Sequence, residues 1–293
     1  MKILYIGSVQ FSRGALDLLI RLEAEVVGIC TLAWAPFNSD HVDLSELGQK
    51  HGIPVLLADD INSSKTVEWI RERAPDVIFC FGWSRLLGED VRNLAPLGAI
   101  GFHPSALPKN RGRHPLIWPL VLGLRETAST FFFMDNGADS GDILSQRSLS
   151  IGDDDDAGTL YEKVTAIALL QIKDFLPQLS KGAYQRTVQD PKAANTWRKR
   201  GRNDGLIDWR MSARSIRNLV RGLTRPYVGA SFMRSDLEVK VWRVTIIEGA
   251  PGNMEPGRVW RVTADGPVIK CGEDAVCLVA TEPQLNVQEG DYL

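Results

Sequence analysis

Two titratable residues in the middle of the chain stand where a reaction could be catalysed. His103 follows the apolar run AIGF, and Asp139 lies in a turn after the strand-like run TFFFM. If both runs are strands of an open α/β sheet, the two side chains follow strand ends, where such sheets bind ligands. An imidazole with an ordinary pKa of about 6.5 can move a proton near neutral pH, and a carboxylate can orient it. From the spacing alone, a histidine that caps a turn and an ordinary turn aspartate are an equally good interpretation.

Other common catalytic patterns are missing from the sequence. The segment GSVQFSRG lacks the glycine spacing of a dinucleotide-binding loop, and neither a phosphate-binding loop nor a Gly-x-Ser-x-Gly turn occurs. Ser105 is too close to His103 along the chain to be a convincing nucleophile beside its base. The four cysteines have none of the spacings of zinc or redox sites. The acidic run 153–156 is more typical of a solvated turn before a helix than of a metal site, so no metal is expected.

The composition is that of an ordinary globular protein. The 293 residues are 44% hydrophobic and 24% charged, and 34 basic residues stand against 36 acidic ones, for a formal charge of −2. This length suffices for about two domains, and this charge sets up no global field for a polyanion. The opening MKILYIGS is too short an apolar run for a signal peptide or a membrane span. We therefore expect a cytoplasmic protein with reduced cysteines and no membrane partner.

The elements that must position His103 and Asp139 follow an alternating order. Strand-like runs (KILYIG, EVVGICTL, PVLLA, DVIFCFG and then AIGFH) alternate with helix-like stretches, and ETASTFFFMD is a further strand. This order predicts an α/β fold with a Rossmann-like, doubly wound, mostly parallel sheet. HPLIWPLVLGL is predicted to be a helix interrupted by Pro119, and the apolar spacing over 159–179 predicts a helix that packs on the sheet.

The last third of the chain has a different pattern. A polar stretch with several basic residues precedes one amphipathic helix and then short alternating runs separated by Gly, Pro and Asp. We expect a catalytic domain over 1–185, a linker over 186–205 and a small OB-like β-barrel of about five strands over 206–293. The basic residues of the linker are more typical of a solvated connector than of a nucleic-acid surface.

Two motifs carry a resemblance to a known family. HPSALPKNRGRHPLIW, followed by TASTFFFMDNGADSGDIL, resembles the signature of the formyltransferases that use N10-formyltetrahydrofolate. That signature runs Asn-x-His-x-Ser-Leu-Leu-Pro, then Arg-Gly, Pro and Trp, then a Thr-rich strand and Asp-x-Gly. NDGLIDWRMSARSIRNLVRGLTRPYVGASF is similar to the stretch that joins the two domains of methionyl-tRNA formyltransferases and of the enzymes that formylate UDP-aminoarabinose. The resemblance covers nearly the whole chain and implies the formyltransferase fold followed by an OB-like barrel.

The resemblance implies an activity and a set of site residues. His103 matches the family's catalytic histidine and Asp139 its catalytic aspartate. A substrate amine would attack the formyl carbon of the co-substrate N10-formyltetrahydrofolate, an oxyanion would develop, and the N10 nitrogen would leave protonated. The residues implied to hold the folate are Arg85, Leu86, Leu87, Arg113, Asp135, Asn136, Gly137 and Ala138.

The sequence departs from the family pattern at Gly101, where the signature has an asparagine that donates to the oxyanion. Loss of one such donor commonly lowers the rate by about 10² to 10³. The polar side chains that could substitute are Asn110, His114 and Ser105, and a glycine would leave room for a water or a bulkier substrate. Because the other matching residues are present, we expect an active enzyme with a rearranged site. A catalytically silent folate- or nucleotide-binding protein is the alternative.

The acceptor amine is the remaining question. The stretch AWAPFNSDHVDLSEL has three acids and no Lys or Arg, whereas the initiator-tRNA enzymes that resemble this chain have a basic loop there. We therefore expect a nucleotide-linked amino sugar as acceptor, such as a UDP-4-amino sugar of a pseudaminic-type or O-antigen pathway for surface polysaccharide, with no nucleic-acid partner. The alternative is tRNA formylation, with the basic cluster 198–202 and the barrel as the RNA surface. A homodimer is open on either hypothesis.

Overall fold

The computed structural model describes residues 1–34 and 39–293. Residues 35–38 of the stretch AWAPFNSDHVDLSEL lie outside the described residues, so the loop expected there is described only in part. The chain divides into two compact units. The first comprises Met1–Gly112, Ala128–Leu149 and Lys163–Trp197, and the second comprises Arg113–Thr127, Ser150–Glu162 and Arg198–Leu293. The units are interleaved along the chain, and the contiguous domain boundaries given above stay a prediction. In the described part of the chain, no helix combines the length and apolarity that crossing a membrane requires.

The first unit is built on a seven-stranded sheet with strand order β3-β2-β1-β4-β5-β7-β8. Pairing is parallel from β3 to β5, and β7 is antiparallel to β5. The predicted mostly parallel α/β sheet is therefore confirmed. Its strands are β1 (Ile3–Ile6), β2 (Val26–Thr31), β3 (Val55–Leu57), β4 (Val77–Cys80), β5 (Ala99–His103), β7 (Glu126–Phe133) and β8 (Ile143–Ser150).

The core of this unit lies on the central strands. Every residue of β1 and β4 is buried, as expected for parallel strands that are covered on both faces. The helices along the chain are α1 (Gln10–Arg21), α2 (Ser45–Lys50), α3 (Ser64–Arg71), α4 (Glu89–Arg92), α5 (Ile117–Val121), α6 (Ala157–Ser180) and α7 (Ala213–Leu223). The predicted helix over 159–179 corresponds to α6, which buries one apolar stripe (Leu160, Val164, Ala168, Ile172, Phe175 and Leu179). The predicted helix HPLIWPLVLGL is only the five residues of α5, and Pro119 is tolerated there because it lies in the first turn.

The second unit contains the predicted small β domain. Its five strands form one antiparallel sheet with the order β10-β11-β14-β13-β12. They are β10 (Ala230–Arg234), β11 (Leu237–Ile247), β12 (Val259–Thr263), β13 (Gly266–Lys270) and β14 (Ala275–Glu282). The strongly amphipathic helix α7 begins after Ser212, whose hydroxyl accepts a hydrogen bond from the Ser215 N–H as an N-cap. Its buried face packs into the same apolar cluster as the strands.

The polar stretch 186–205 contains short ordered elements. Its first half belongs to the first unit, where the backbone of Thr187 exchanges two hydrogen bonds with that of Ile143. Further along, β9 (Thr196–Trp197) pairs in parallel with β6 (Arg111–Gly112). An added Cβ at Gly112, whose φ is +98°, would lie 2.4 Å from the Trp197 carbonyl oxygen. Glycine at position 112 is therefore required both by its backbone conformation and by the close approach of β9.

Candidate active site

His103 is the last residue of β5 and is 5% exposed. Its Nε2 atom lies 2.9 Å from the backbone carbonyl oxygen of Asn110. Because a carbonyl oxygen can only accept, this contact assigns a hydrogen to Nε2. In the neutral imidazole, Nδ1 is then the atom with the free lone pair and the one able to take up a proton.

Asp139 faces this second nitrogen. Its Oδ2 atom lies 3.6 Å from Nδ1 of His103, beyond a good hydrogen bond, and accepts a 2.9 Å hydrogen bond from the Gly112 N–H. Asp139 has a φ of +56°, a left-handed conformation that is unusual for a residue with a side chain. A carboxylate oxygen and an unprotonated Nδ1 are both acceptors, so no hydrogen bond joins them in this tautomer, and a proton taken up by Nδ1 would lie beside the carboxylate. The pair therefore has the geometry of a proton-transfer site.

The route by which Asp139 reaches His103 differs from the one predicted. Both residues come after strands, as expected, but the two strands do not end at the same edge of the sheet, because β7 runs antiparallel to β5. In the observed register His103 pairs with Thr130, and Phe133 at the end of β7 pairs with Ile100 near the start of β5. The turn over 134–142 therefore leaves the sheet at the opposite end of β5 and brings Asp139 back to His103.

Gly101 does not provide the space that was expected of a glycine. It is paired with Phe132 across β5 and β7. An added Cβ would lie 3.0 Å from two ring carbons of Phe132 and 3.2 Å from Cγ of Met134. The expected room for a water or a bulkier substrate is therefore wrong on this side of the strand, because apolar side chains fill it.

The three candidate replacement donors differ in whether their side chains already form hydrogen bonds. The hydroxyl of buried Ser105 donates to the Lys109 carbonyl at 3.2 Å, so its hydrogen is already used. Asn110 uses its backbone N–H for the Asn195 side chain (2.9 Å) and its carbonyl for His103, and neither bond involves its own amide side chain. Of these two residues, Asn110 is the better candidate donor.

The third candidate, His114, belongs to the second compact unit. Its Nε2 atom is buried and has no hydrogen-bond partner among the residues that the structure describes. Burial lowers the pKa of this imidazole, and the positive charges of Arg113, Arg200 and Lys199 lower it further. The neutral form of His114 is therefore favoured. Arg113, predicted to contact folate, is an exposed residue of the same unit.

Two of the predicted folate-binding segments meet in the first unit. In the segment Arg85, Leu86 and Leu87, the middle side chain is 72% exposed and Leu87 is buried. The carbonyl of Leu86 accepts a 3.0 Å hydrogen bond from the Asn62 amide, and the Arg85 guanidinium donates to the Asp59 carbonyl. The loop is thereby fixed with an apolar side chain facing outward, which suits contact with a flat heteroaromatic ring.

The second folate segment is an exposed turn. Asp135 accepts hydrogen bonds from the Gly137 N–H (3.0 Å) and the Ser140 hydroxyl (2.7 Å), which closes the turn around Asn136 and Ala138. Arg92, at the end of α4, donates to the Asp135 carbonyl and to the Asn136 side chain. Since α4 follows directly after Leu87, Arg92 holds the two segments beside each other.

Sequence reasoning missed several residues that organise the site. Arg92, Gln189 and Asn195 all bond to residues that were predicted to function. Arg111 bonds to Gln189 and Asn195 and so belongs to the same network. Gln189 is only 6% exposed although it lies in a stretch interpreted as a solvated linker. Its partners are 48 to 78 residues away along the chain, so no local pattern could have identified them.

The comparisons with known proteins identify the family. Residues 43–170 match the model described as formyl transferase, and residues 200–288 match that of the formyl transferase C-terminal domain. The chain belongs to the formyltransferase family. A methionyl-tRNA formyltransferase of Geotalea daltonii is 32% identical over 299 residues, covering 100% of this chain and 95% of the relative. The chain is accordingly an N-formyltransferase.

Two solved structures share the fold at low sequence identity. HypX of Aquifex aeolicus superposes with a TM-score of 0.71 at 19% identity, covering 96% of this chain and 45% of HypX. An N-formyltransferase of Helicobacter canadensis, solved in complex with folinic acid and dTDP-3-aminofucose, has a TM-score of 0.68 at 16% identity and covers 95% and 99% of the two chains. These matches support the formyltransferase fold over nearly the whole chain.

Proposed function

We propose that this formyltransferase modifies the amino group of a nucleotide-linked amino sugar. The observation that carries the proposal is that cations of the basic cluster 198–202 are paired with groups of the same chain. This cluster would be the RNA surface of a tRNA-formylating enzyme. Arg198 donates two hydrogen bonds to the Asp204 carboxylate, one of them 2.8 Å long. Arg202 pairs with Glu238 at 2.8 Å. Two of the four cations of the cluster are thus paired with carboxylates of the same chain.

A third cation of the cluster is also engaged. Arg200 donates to the Asp204 backbone carbonyl and lies over the Trp118 ring, 4.6 Å from its centroid. Burial lowers the pKa of this guanidinium, and the carboxylate of Asp204 works in the opposite direction. Phosphate binding gains affinity by releasing counterions from RNA, and cations already paired with carboxylates contribute less to that release. A small nucleotide sugar needs no such extended basic surface.

The chemistry of the proposed reaction suits the first unit. N10-formyltetrahydrofolate supplies the formyl carbon and departs as tetrahydrofolate. Nδ1 of His103 takes up the proton that the attacking amine loses, and the Asp139 carboxylate stabilises the imidazolium. The same proton is then returned to the N10 nitrogen as its bond to the formyl carbon breaks. The Asn110 amide is the proposed donor to the negative charge that develops on the formyl oxygen.

Formylation of initiator tRNA is the second candidate function. Its support is the Geotalea daltonii relative, which is 32% identical over the full chain and is a methionyl-tRNA formyltransferase. The Helicobacter canadensis neighbour, with its bound dTDP-3-aminofucose, supports the amino-sugar proposal at the level of the fold.

One experiment separates the two candidates. Purified protein is incubated with N10-formyltetrahydrofolate and a panel of UDP-, dTDP- and GDP-linked amino sugars, or with charged initiator tRNA, while tetrahydrofolate release is followed. We expect turnover with at least one sugar, and a rate that changes little between 50 and 200 mM salt, where an RNA substrate would lose about 10³-fold in affinity or more. Formylation of the tRNA with no sugar turnover would refute the proposal. Folate binding without any turnover would instead favour a catalytically silent homologue.

A matched variant makes the result sharper. Arg198→Gln with Arg202→Gln removes two cations of the cluster and leaves the first unit unchanged. If a sugar is the substrate, kcat/KM for it should stay within about twofold of wild type. If tRNA is the substrate, the same variant should weaken its binding and lower the salt dependence.

A further inference from the structure

We infer that Gln189 is a positioning residue of the active site, which holds the turn around Asp139 so that the carboxylate faces His103. The inference rests on the proposed roles of His103 and Asp139 and is independent of which amine accepts the formyl group. The hydrogen bonds of Gln189 go to Arg111 and to two backbone carbonyls of the turn, and not to the side chains of His103 or Asp139.

The amide nitrogen of Gln189 forms hydrogen bonds with the turn that carries Asp139. Nε2 donates to the backbone carbonyl of Asp139 at 2.9 Å and to that of Gly141 at 2.7 Å. Both N–H bonds of the amide are therefore used on the turn that carries the carboxylate. Because Gln189 is 6% exposed, water cannot easily take over these two bonds.

The amide oxygen of Gln189 holds the second partner of Asp139. Oε1 accepts hydrogen bonds from Nε (3.2 Å) and a terminal nitrogen (2.7 Å) of Arg111. Arg111 directly precedes Gly112, whose N–H donates to the Asp139 carboxylate. One side chain thus connects the backbone of Asp139 with the strand that binds its carboxylate.

The conformation of Asp139 explains why such a connection is needed. Its left-handed φ of +56° costs energy for a residue with a side chain and persists only when the surroundings enforce it. The bond from Gln189 ends on the carbonyl of this same residue. Without it, we expect the turn to relax and the carboxylate to move away from Nδ1, and a displacement of about 1 Å at a reacting group can lower a rate about 10²-fold.

The same stretch also holds the partner of the imidazole. Asn195 accepts a 2.9 Å hydrogen bond from the Asn110 N–H, and its own carbonyl accepts a 3.0 Å hydrogen bond from the Arg111 N–H. The Asn110 carbonyl in turn accepts from Nε2 of His103. Residues 189–195 therefore support the groups on both sides of the imidazole, which makes a purely local role for Gln189 a poor explanation.

The test compares Gln189 with a buried glutamine elsewhere in the same unit. Gln189→Leu removes all four hydrogen bonds, whereas Gln189→Glu keeps the size and the Arg111 pairing but removes the two N–H donors. The control is Gln171→Leu, because Gln171 is 0% exposed and donates to the Ser129 carbonyl (3.1 Å) and the Ser145 hydroxyl (2.9 Å). Asp139→Ala is measured alongside. The acceptor is whichever amino sugar or tRNA gives the highest rate in the panel described above.

We expect both Gln189 variants to lower kcat by about 10- to 100-fold while KM for N10-formyltetrahydrofolate and the affinity for folinic acid stay within about twofold. The Gln171→Leu variant should keep the wild-type kcat even if its melting temperature falls by as much as that of the Gln189 variants. A wild-type kcat in the Gln189 variants, with Asp139→Ala inactive, would overturn the inference about Gln189 and leave the proposed role of Asp139 intact. A loss of kcat in Gln171→Leu equal to that in the Gln189 variants would also overturn the inference. An active Asp139→Ala variant would overturn the proposed role of Asp139 itself.

Discussion

Restoring an asparagine at Gly101 should not restore a better enzyme. The donor that the family signature has at this position would need space beside β5, and Phe132 and Met134 occupy it. The added Cβ alone would lie 3.0 to 3.2 Å from their carbon atoms. Overpacking of this kind costs about 1 to 3 kcal/mol, and an amide that is buried against an aromatic ring without a partner costs about 1 to 3 kcal/mol more.

We therefore expect Gly101→Asn to lower the free energy of unfolding by about 2 to 6 kcal/mol, which corresponds to a fall of at least several degrees in melting temperature. Gly101→Ala should lose only the overpacking part. Unfolding followed by circular dichroism measures both, and kcat for formyl transfer is measured on the same preparations. Combining Gly101→Asn with Phe132→Leu should recover part of the lost stability, because the shorter side chain makes room for the amide.

The control for this series is Gly252→Asn, at an exposed glycine where an added Cβ would have no atom within 4 Å. Its stability should change by no more than about 0.5 kcal/mol. The reasoning is refuted if Gly101→Asn is as stable as this control and raises kcat by about 10²-fold. That result would mean that the site has room for the asparagine and that Gly101 only lacks the oxyanion donor.

Four further predictions concern the site and the second unit. His103→Ala and Asp139→Ala should each lower kcat by about 10²- to 10⁴-fold with an unchanged circular dichroism spectrum, and a near-normal rate would remove that residue from the mechanism. Asn110→Gly should lower kcat by about 10²- to 10³-fold, whereas Ser105→Ala, whose hydroxyl is already bonded to Lys109, should lower it far less; equal losses would contradict the assignment of the donor. Leu86→Ser should weaken the binding of folinic acid, measured by calorimetry, whereas Leu122→Ser, at a leucine that is 53% exposed in the second unit, should not. Hydrogen bonds from Lys240 and Ser231 lower the pKa of Glu238 to about 2 from 4.5, so the stability that it contributes is present above pH 4.5 and is lost as the pH falls through about 2. The difference in melting temperature between wild type and Glu238→Gln should shrink over that range, and a constant difference would argue against the pairing.

Much of the fold could be predicted because its signals are local. The buried runs of β1 and β4 and the apolar stripe of α6 are visible as periodicity in the sequence, and so are the short alternating strands of the second unit. The direction of β7 was not predictable in this way. A strand has the same residue pattern whether its neighbour is parallel or antiparallel, so the sequence does not reveal the antiparallel pairing of β7 with β5.

The site shows the same division between local and distant information. His103 and Asp139 could be named from motifs, and the structure places their side chains 3.6 Å apart. The filling of the space beside Gly101 could not be foreseen, because Phe132 comes from a different strand in a register that the sequence does not reveal. The role of Gln189 was hidden for the same reason, since all four of its bonds go to residues on distant parts of the chain.

The acceptor for Nε2 of His103 is a main-chain atom, and this determines which substitutions position 110 can tolerate. A carbonyl group is present whatever the side chain is, so mutation at Asn110 cannot remove the contact that sets the tautomer. Mutation can only move it, by disturbing the left-handed backbone at this residue, whose φ is +65°. In a library randomised at position 110, variants that keep the proton arrangement should therefore be mainly Gly, Asn and Asp. Differences in rate among those three would then report on the side-chain amide alone.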